Sequence, residues 1–269
     1  HYAGLSGGWA AFTVILTLFS GLLAATIIDA RTFLIPGPIT TSMISIGIGA
    51  WCIQGLLPVR PVLEELWPIP LVNASYSGLS LGAAVGVAFG LLGLRTGVIP
   101  RSFIDYEDYV EEGETLGDYP HGRREMFKEI LFLLPIIIGG ISGWLLVEYF
   151  IGPDIQLPMW LLAICSSIFG GLVGGGVIWL VRILGTLGFG REAMGMGDVH
   201  LLVAIGVCLG WEDPLRAFFV APFTALAWIG LTKVVSVFSK RTARELPYGP
   251  HLAIATILIV LLRPLVDEF

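Results

Sequence analysis

Two acidic residues stand where an apolar chain would not ordinarily place them. Asp29 directly follows the run Ala24-Ala-Thr-Ile-Ile28, and Asp198 directly follows Gly195-Met-Gly197 and opens another apolar run. An ionisable residue beside or within a membrane segment is a functional hypothesis by default. An acid at a helix C-terminus also meets the unfavourable end of the helix dipole, so Asp29 is not explained as a capping residue. Asp198 has a simpler reading as an N-cap, where Asp is favoured. The two glycines before it change that balance, because glycine lets a second backbone approach closely. Two carboxyls at one site share a proton, since both cannot ionise cheaply. Such a pair offers the base that activates water and the acid that protonates a carbonyl or leaving amine. The chemistry indicated is peptide hydrolysis by an aspartate dyad, with no metal and no cofactor. His121, His200 and His251 are present, but no Ser or Cys stands in a nucleophile motif with them.

The two aspartates are 169 positions apart, and the composition says what kind of element must position them. The chain has 269 residues, 55% of them hydrophobic and 13% charged. That charged share is about half the usual 25% of a soluble domain. The mean hydropathy of +0.85 and net charge of −6 exclude a disordered chain. A pI near 5.2 disfavours nucleic acid as a partner. Cys52, Cys165 and Cys208 lie in apolar stretches without a paired motif and read as small buried hydrophobes, not as a disulfide or zinc framework. The chain begins at His1 rather than Met, consistent with a processed or trimmed product.

Eight apolar runs follow one another, at about 9–28, 39–57, 70–94, 130–151, 157–181, 199–210, 215–235 and 250–263. They are continuous rather than alternating, which excludes a barrel. The fold class expected is an all-α polytopic membrane protein with about eight transmembrane helices. Residues 1–269 read as one membrane-embedded domain with a cytoplasmic loop at 95–128. The sixth run is short unless its helix starts back near Met196. With alternating spans, twelve of the fifteen Lys and Arg fall on one side, and this side is cytoplasmic by the positive-inside rule. Asp29 and Asp198 both fall on it. Trp9, Trp67, Trp160 and Trp211 fall near the outer ends, as interfacial belts do.

Within the long loop, residues 105–118 carry seven carboxylates and no Lys or Arg, and read as a solvated stretch. Residues 120–129 are basic and amphipathic, and fit either a juxtamembrane helix on anionic lipid or a lead-in to the fourth span. Glycines crowd the fourth run (Gly139, Gly140, Gly143) and the fifth (Gly170, Gly171, Gly174, Gly175, Gly176), which points to close helix packing.

Ile28-Asp29 with Ile35-Pro36, Glu192-Ala-Met-Gly-Met-Gly-Asp-Val-His200, and Leu246-Pro-Tyr-Gly-Pro250 resemble the type IV prepilin peptidases, intramembrane aspartyl proteases of the Gly-x-Gly-Asp type. The likeness covers about residues 10–265 and is strongest in these three blocks. It implies cleavage of leader peptides from prepilins or pseudopilins at the cytoplasmic face of a bacterial inner membrane. The partners implied are those substrates, membrane lipid, and pilus or type II secretion assembly proteins. The same resemblance makes Asp29 and Asp198 the catalytic pair and gives Gly195 and Gly197 the turn presenting Asp198. It makes Pro36, Tyr248, Gly249 and Pro250 supporting positions. The chain departs from the family pattern in three places. The N-terminal paired cysteines that accompany N-methyltransferase activity are not in this sequence, His200 stands where Lys is common, and Gly37 where Asn or Asp is common. The reading that competes from outside the proteases is a transporter or channel using the two aspartates as an ion pathway. An inactive assembly scaffold is a third.

Overall fold

The computed structural model describes residues 8–57, 69–105, 109, 119–236 and 248–266. All regular structure among them is helical: α1 (Trp9–Thr32), α2 (Gly37–Leu56), α3 (Ala74–Thr96), α4 (Gly122–Leu145), α5 (Met159–Phe189), α6 (Met196–Leu209), α7 (Glu212–Ser236) and α8 (Tyr248–Val266). A π-helical segment, Leu146–Ile151, continues α4. Among the described residues, six helices are long and apolar enough to cross a membrane, with α4 and its π segment counted as one. α6 and the apolar part of α8 are shorter. Most of the acidic 105–118 stretch, Trp67, and the 240–244 cations lie outside the described residues.

Boundaries follow ordinary end chemistry. The N–H of Phe33, in the left-handed region, bonds to the Asp29 carbonyl at 2.9 Å and closes α1. Pro36 precedes α2, where its fixed φ suits the entry and its missing N–H costs nothing. The Asn73 side chain accepts the N–H of Tyr76 at 2.9 Å to start α3. Gly97 and Gly190 end α3 and α5 with positive φ.

α6 is the axis of the bundle. It touches α1, α2, α5, α7 and α8, and Val199, Leu201, Leu202 and Ala204–Leu209 along it are buried. Around it the outer helices turn large apolar side chains outward, among them Phe12, Leu23, Phe89, Ile138 and Phe223. That inside-out distribution is the one a hydrocarbon solvent requires. The glycine-rich helices pack as expected. Gly78, Gly82 and Gly86 of α3 lie against the backbone of α4 at Gly143, Gly139 and Pro135, and Gly170 of α5 lies against Gly206 of α6. A Cβ at any of these would overlap the facing main chain.

Several element boundaries bear on the sequence reading. α1 runs past Asp29 to Thr32, so Asp29 sits inside the last turn and is buried. α6 starts at Met196, as the alternative start allowed. Its N-cap is Gly195, so Asp198 is not the N-cap itself but the third helical residue. α5 continues eight residues beyond 181, because Arg182, which would end an apolar run, is neutralised within the protein. Of the two readings of residues 120–129, the structure has the lead-in to the fourth span: from Gly122 they form the first turns of α4, with one face buried rather than solvated. Glu125 and Glu129 there are buried, and Arg123 donates to the Leu187 and Gly188 carbonyls near the end of α5.

Candidate active site

The two aspartates meet. Asp29, from the last turn of α1, and Asp198, from the first turn of α6, line one cavity of about 330 Å³. Both are buried, at 5% and 9% exposure. Asp198 accepts from the backbone N–H of Gly195, the half of a capping box that an acid three residues into a helix supplies. Asp29 accepts from the backbone N–H of Gly249, in the first turn of α8. Each carboxylate is thus held by an amide at a helix N-terminus, where partial positive charge collects.

The glycines have separate tasks. A Cβ on Gly249 would sit 2.5 Å from Asp29 Oδ2, so only glycine lets the start of α8 reach that carboxylate. A Cβ on Gly197 would sit 2.9 Å from the Cβ of Ile35. Gly197 therefore admits the segment after α1, and Phe33, Leu34 and Ile35 of that segment form one wall of the cavity. Gly195 has room around it, its nearest neighbour being Asp198 itself. Pro36 starts α2 just beyond the wall, and Tyr248 packs on the core with its hydroxyl 3.4 Å from the Phe218 carbonyl. Neither Pro36, Tyr248 nor Pro250 lines the cavity.

The remaining wall comes from Ser102 and Phe103, in the turn after α3, together with Arg182, Glu192 and Met196. The Phe103 N–H donates to Glu125 Oε2 at 2.7 Å, fixing the turn to α4. Nearby, Asp105 accepts from Tyr119 at 2.7 Å and Arg124 at 2.6 Å. These bonds hold the Asp105 carboxyl down at about 2, while burial and the bond to Asp105 push the Tyr119 phenol up to about 12. Burial pushes the Glu192 carboxyl above the usual carboxylate range, against the pull of Arg182. Among the described residues, no group of three His, Cys, Asp or Glu side chains is disposed to hold a metal ion.

Known proteins bear on this arrangement. The chain is 35% identical over 136 residues to a prepilin leader peptidase/N-methyltransferase of Pseudomonas putida, covering 48% of this chain and 42% of that protein. A protein of the same name from Aeromonas salmonicida is 30% identical over 123 residues, 45% of this chain and 37% of its own. A type 4 prepilin-like proteins leader peptide-processing enzyme of Escherichia coli O78:H11 is 26% identical over 170 residues, 52% and 61% respectively. By sequence, about half of the chain is similar to prepilin leader peptidases. It spans less than half the length of the first two of these prepilin peptidase relatives. No family model and no solved structure matches the chain.

Against the prepilin peptidase expectations, two features stand out. His200, standing where Lys is common, is exposed on α6 and is not part of the cavity wall. The cation that does line the cavity is Arg182, which the sequence reading counted only among the cytoplasmic charges. The available signal was Arg182 flush against the fifth apolar run, with Glu129 flush against the fourth and Glu192 opening the Gly-x-Gly-Asp block. Opposite charges at the cytoplasmic ends of adjacent spans are candidates for a buried pair.

Proposed function

We propose that the chain is an intramembrane aspartyl endopeptidase that removes the leader peptide of prepilins or pseudopilins at the cytoplasmic face of a bacterial inner membrane. The observation that carries the reading is the convergence of the buried Asp29 and Asp198, 169 positions apart, on one half-open cavity. The similarity to prepilin leader peptidases supports the substrate class, and the one-sided distribution of Lys and Arg supports the orientation.

The mechanism follows from two carboxyls holding one proton. The ionised aspartate takes a proton from water as the water oxygen attacks the scissile carbonyl. The protonated one donates to the carbonyl oxygen, giving a tetrahedral intermediate. Collapse of that intermediate breaks the C–N bond while a carboxyl delivers a proton to the leaving amine, and the pair returns to one proton. The titration belongs to the pair and not to either residue. The substrate backbone must be extended where it passes between the carboxyls, and its freed amides need partners inside protein. The Gly195–Asp198 turn supplies backbone for that role.

The test is cleavage of a prepilin by the purified protein in lipid or detergent. Asp29→Asn and Asp198→Asn are each expected to lower the rate by about 10²–10⁴-fold, the usual share of acid–base groups, while the helical content and melting behaviour of the protein persist. Cleavage by both variants at the wild-type rate would sink the dyad. An inert wild type across several prepilins would return the transporter and scaffold readings to the front.

A further inference from the structure

The cavity that holds the aspartates also holds an arginine that the proton transfers of the dyad do not call on. Arg182 is 1% exposed. Its guanidinium works on every edge. Nε lies 3.1 Å from both carboxylate oxygens of Glu129, and Nη2 lies 2.9 Å from Glu129 Oε1. Nη1 donates to Glu192 Oε1 and to the main-chain carbonyl of Met194. Trp179 Nε1 completes the Glu129 end with a 2.7 Å bond, and the Phe103 ring covers the guanidinium, its centroid 5.5 Å from Cζ.

A buried charge cluster of this kind is a poor way to gain stability, because desolvation consumes most of the attraction and apolar side chains of equal volume often do as well. Its distinctive property is geometry. Glu129 belongs to α4, Arg182 to α5, and Glu192 and Met194 to the segment that enters α6. Met194 immediately precedes Gly195, whose N–H bonds to Asp198. The planar fork of arginine reaches both sides of this junction at once, which a lysine ammonium cannot. Glu192 Oε2 is buried without a hydrogen-bond partner, so Arg182 is the charge that retains this side chain in place.

We propose that Arg182 is a positioning residue: by tying Glu192 and the Met194 carbonyl to Glu129, it fixes the turn that presents Asp198 to the cavity. This rests on the peptidase reading, in which the direction of the Asp198 carboxylate limits the rate. A 1 Å misplacement of a reacting group costs on the order of 10²-fold.

Two variants test it. Arg182→Lys keeps the charge and loses the fork. The triple variant Arg182→Met, Glu129→Gln, Glu192→Gln removes the charges together, leaving no unpaired ion to unfold the protein. Three quantities are read: kcat and KM on a prepilin, the melting temperature, and backbone hydrogen exchange over residues 191–198. In Arg182→Lys, kcat is expected to fall at least about tenfold, with KM unchanged and exchange over 191–198 faster, while exchange in α3 and α4 at their glycine contact stays as in the wild type. The triple variant is expected to melt near the wild type and to remain as slow as Arg182→Lys. Wild-type kcat and exchange in Arg182→Lys would overturn the proposal. So would a kcat loss that only tracks the folded fraction, or a triple variant that regains activity. The exchange arm needs no cleavage. A wild type that cuts no prepilin defeats the peptidase reading alone, whereas unchanged exchange over 191–198 defeats the positioning role.

Discussion

The contact between α3 and α4 and the junction of α4, α5 and α6 beside the two aspartates are built on opposite principles. In the first, Gly78, Gly82 and Gly86 lie on the main chain of α4 around Pro135, Gly139 and Gly143. The contact there is backbone on backbone and draws chiefly on van der Waals packing. In the second, Glu129, Arg182 and Glu192 are buried together beside the two aspartates. Close packing gives the strongest contact per residue but tolerates no side chain. A charged junction contributes little net stability, yet it specifies one geometry. The molecule places the first kind where only rigidity is needed and the second where a carboxylate must be aimed.

Four substitutions would break or sharpen this contrast. The largest effect belongs to Gly82→Leu. Its side chain has no room against Gly139, and overpacking costs about 3 kcal/mol or more where the backbone must part. The folded yield in detergent should collapse; a stable variant would show that the α3–α4 contact is looser than described. Next comes Trp179→Phe, which removes a hydrogen bond to buried Glu129. A loss of about 1.5 kcal/mol is expected for a bond to a charged acceptor, read as a lowered melting temperature. Gly249→Ala is expected to act on rate rather than on stability. Its Cβ meets Asp29 Oδ2, and about a tenfold loss of cleavage corresponds to only 1.4 kcal/mol of misplacement. The measurement is kcat beside an unchanged melt.

The smallest effect is expected of Asp105→Asn, which deletes an ion pair at the exposed Arg124 side chain. Its pH dependence has a definite sign. The folded carboxyl titrates at about 2, below an unfolded value near 4. Whatever it contributes is present above pH 4 and is lost as the pH falls toward 2. A melting curve against pH, with and without the substitution, should converge at the acid end. Convergence at neutral pH instead would remove Asp105 from the network.

The apolar runs and the two aspartates were legible in the sequence because each is a local signal. Hydrophobic runs declare their own ends, and the Glu-Ala-Met-Gly-Met-Gly-Asp block is contiguous. The roles of Gly197 and Gly249 were legible only in outline, since Ile35 and Asp29, the groups they admit, come from elsewhere in the chain. Arg182 was legible only as a charge flush against an apolar run, not as part of the site. Its partner Glu129 lies 53 residues earlier, and a cation after an apolar run reads as the end of a span. The same omission shortened α5 and left the buried face of the 120–129 segment unseen, because a charged face looks solvated until its counter-charges are known.

The enclosure of α6 has one more consequence. Its 14 residues measure about 21 Å, short of a hydrocarbon core of about 30 Å. Apart from the exposed His200 in its first turns, this helix is largely enclosed by its neighbours. Thickness mismatch acts on lipid-facing helices, which tilt to absorb it. Asp198 is therefore sleeved from the bilayer. Reconstitution in lipids of different chain length should alter how readily a substrate helix is captured, while the turnover of bound substrate stays nearly constant.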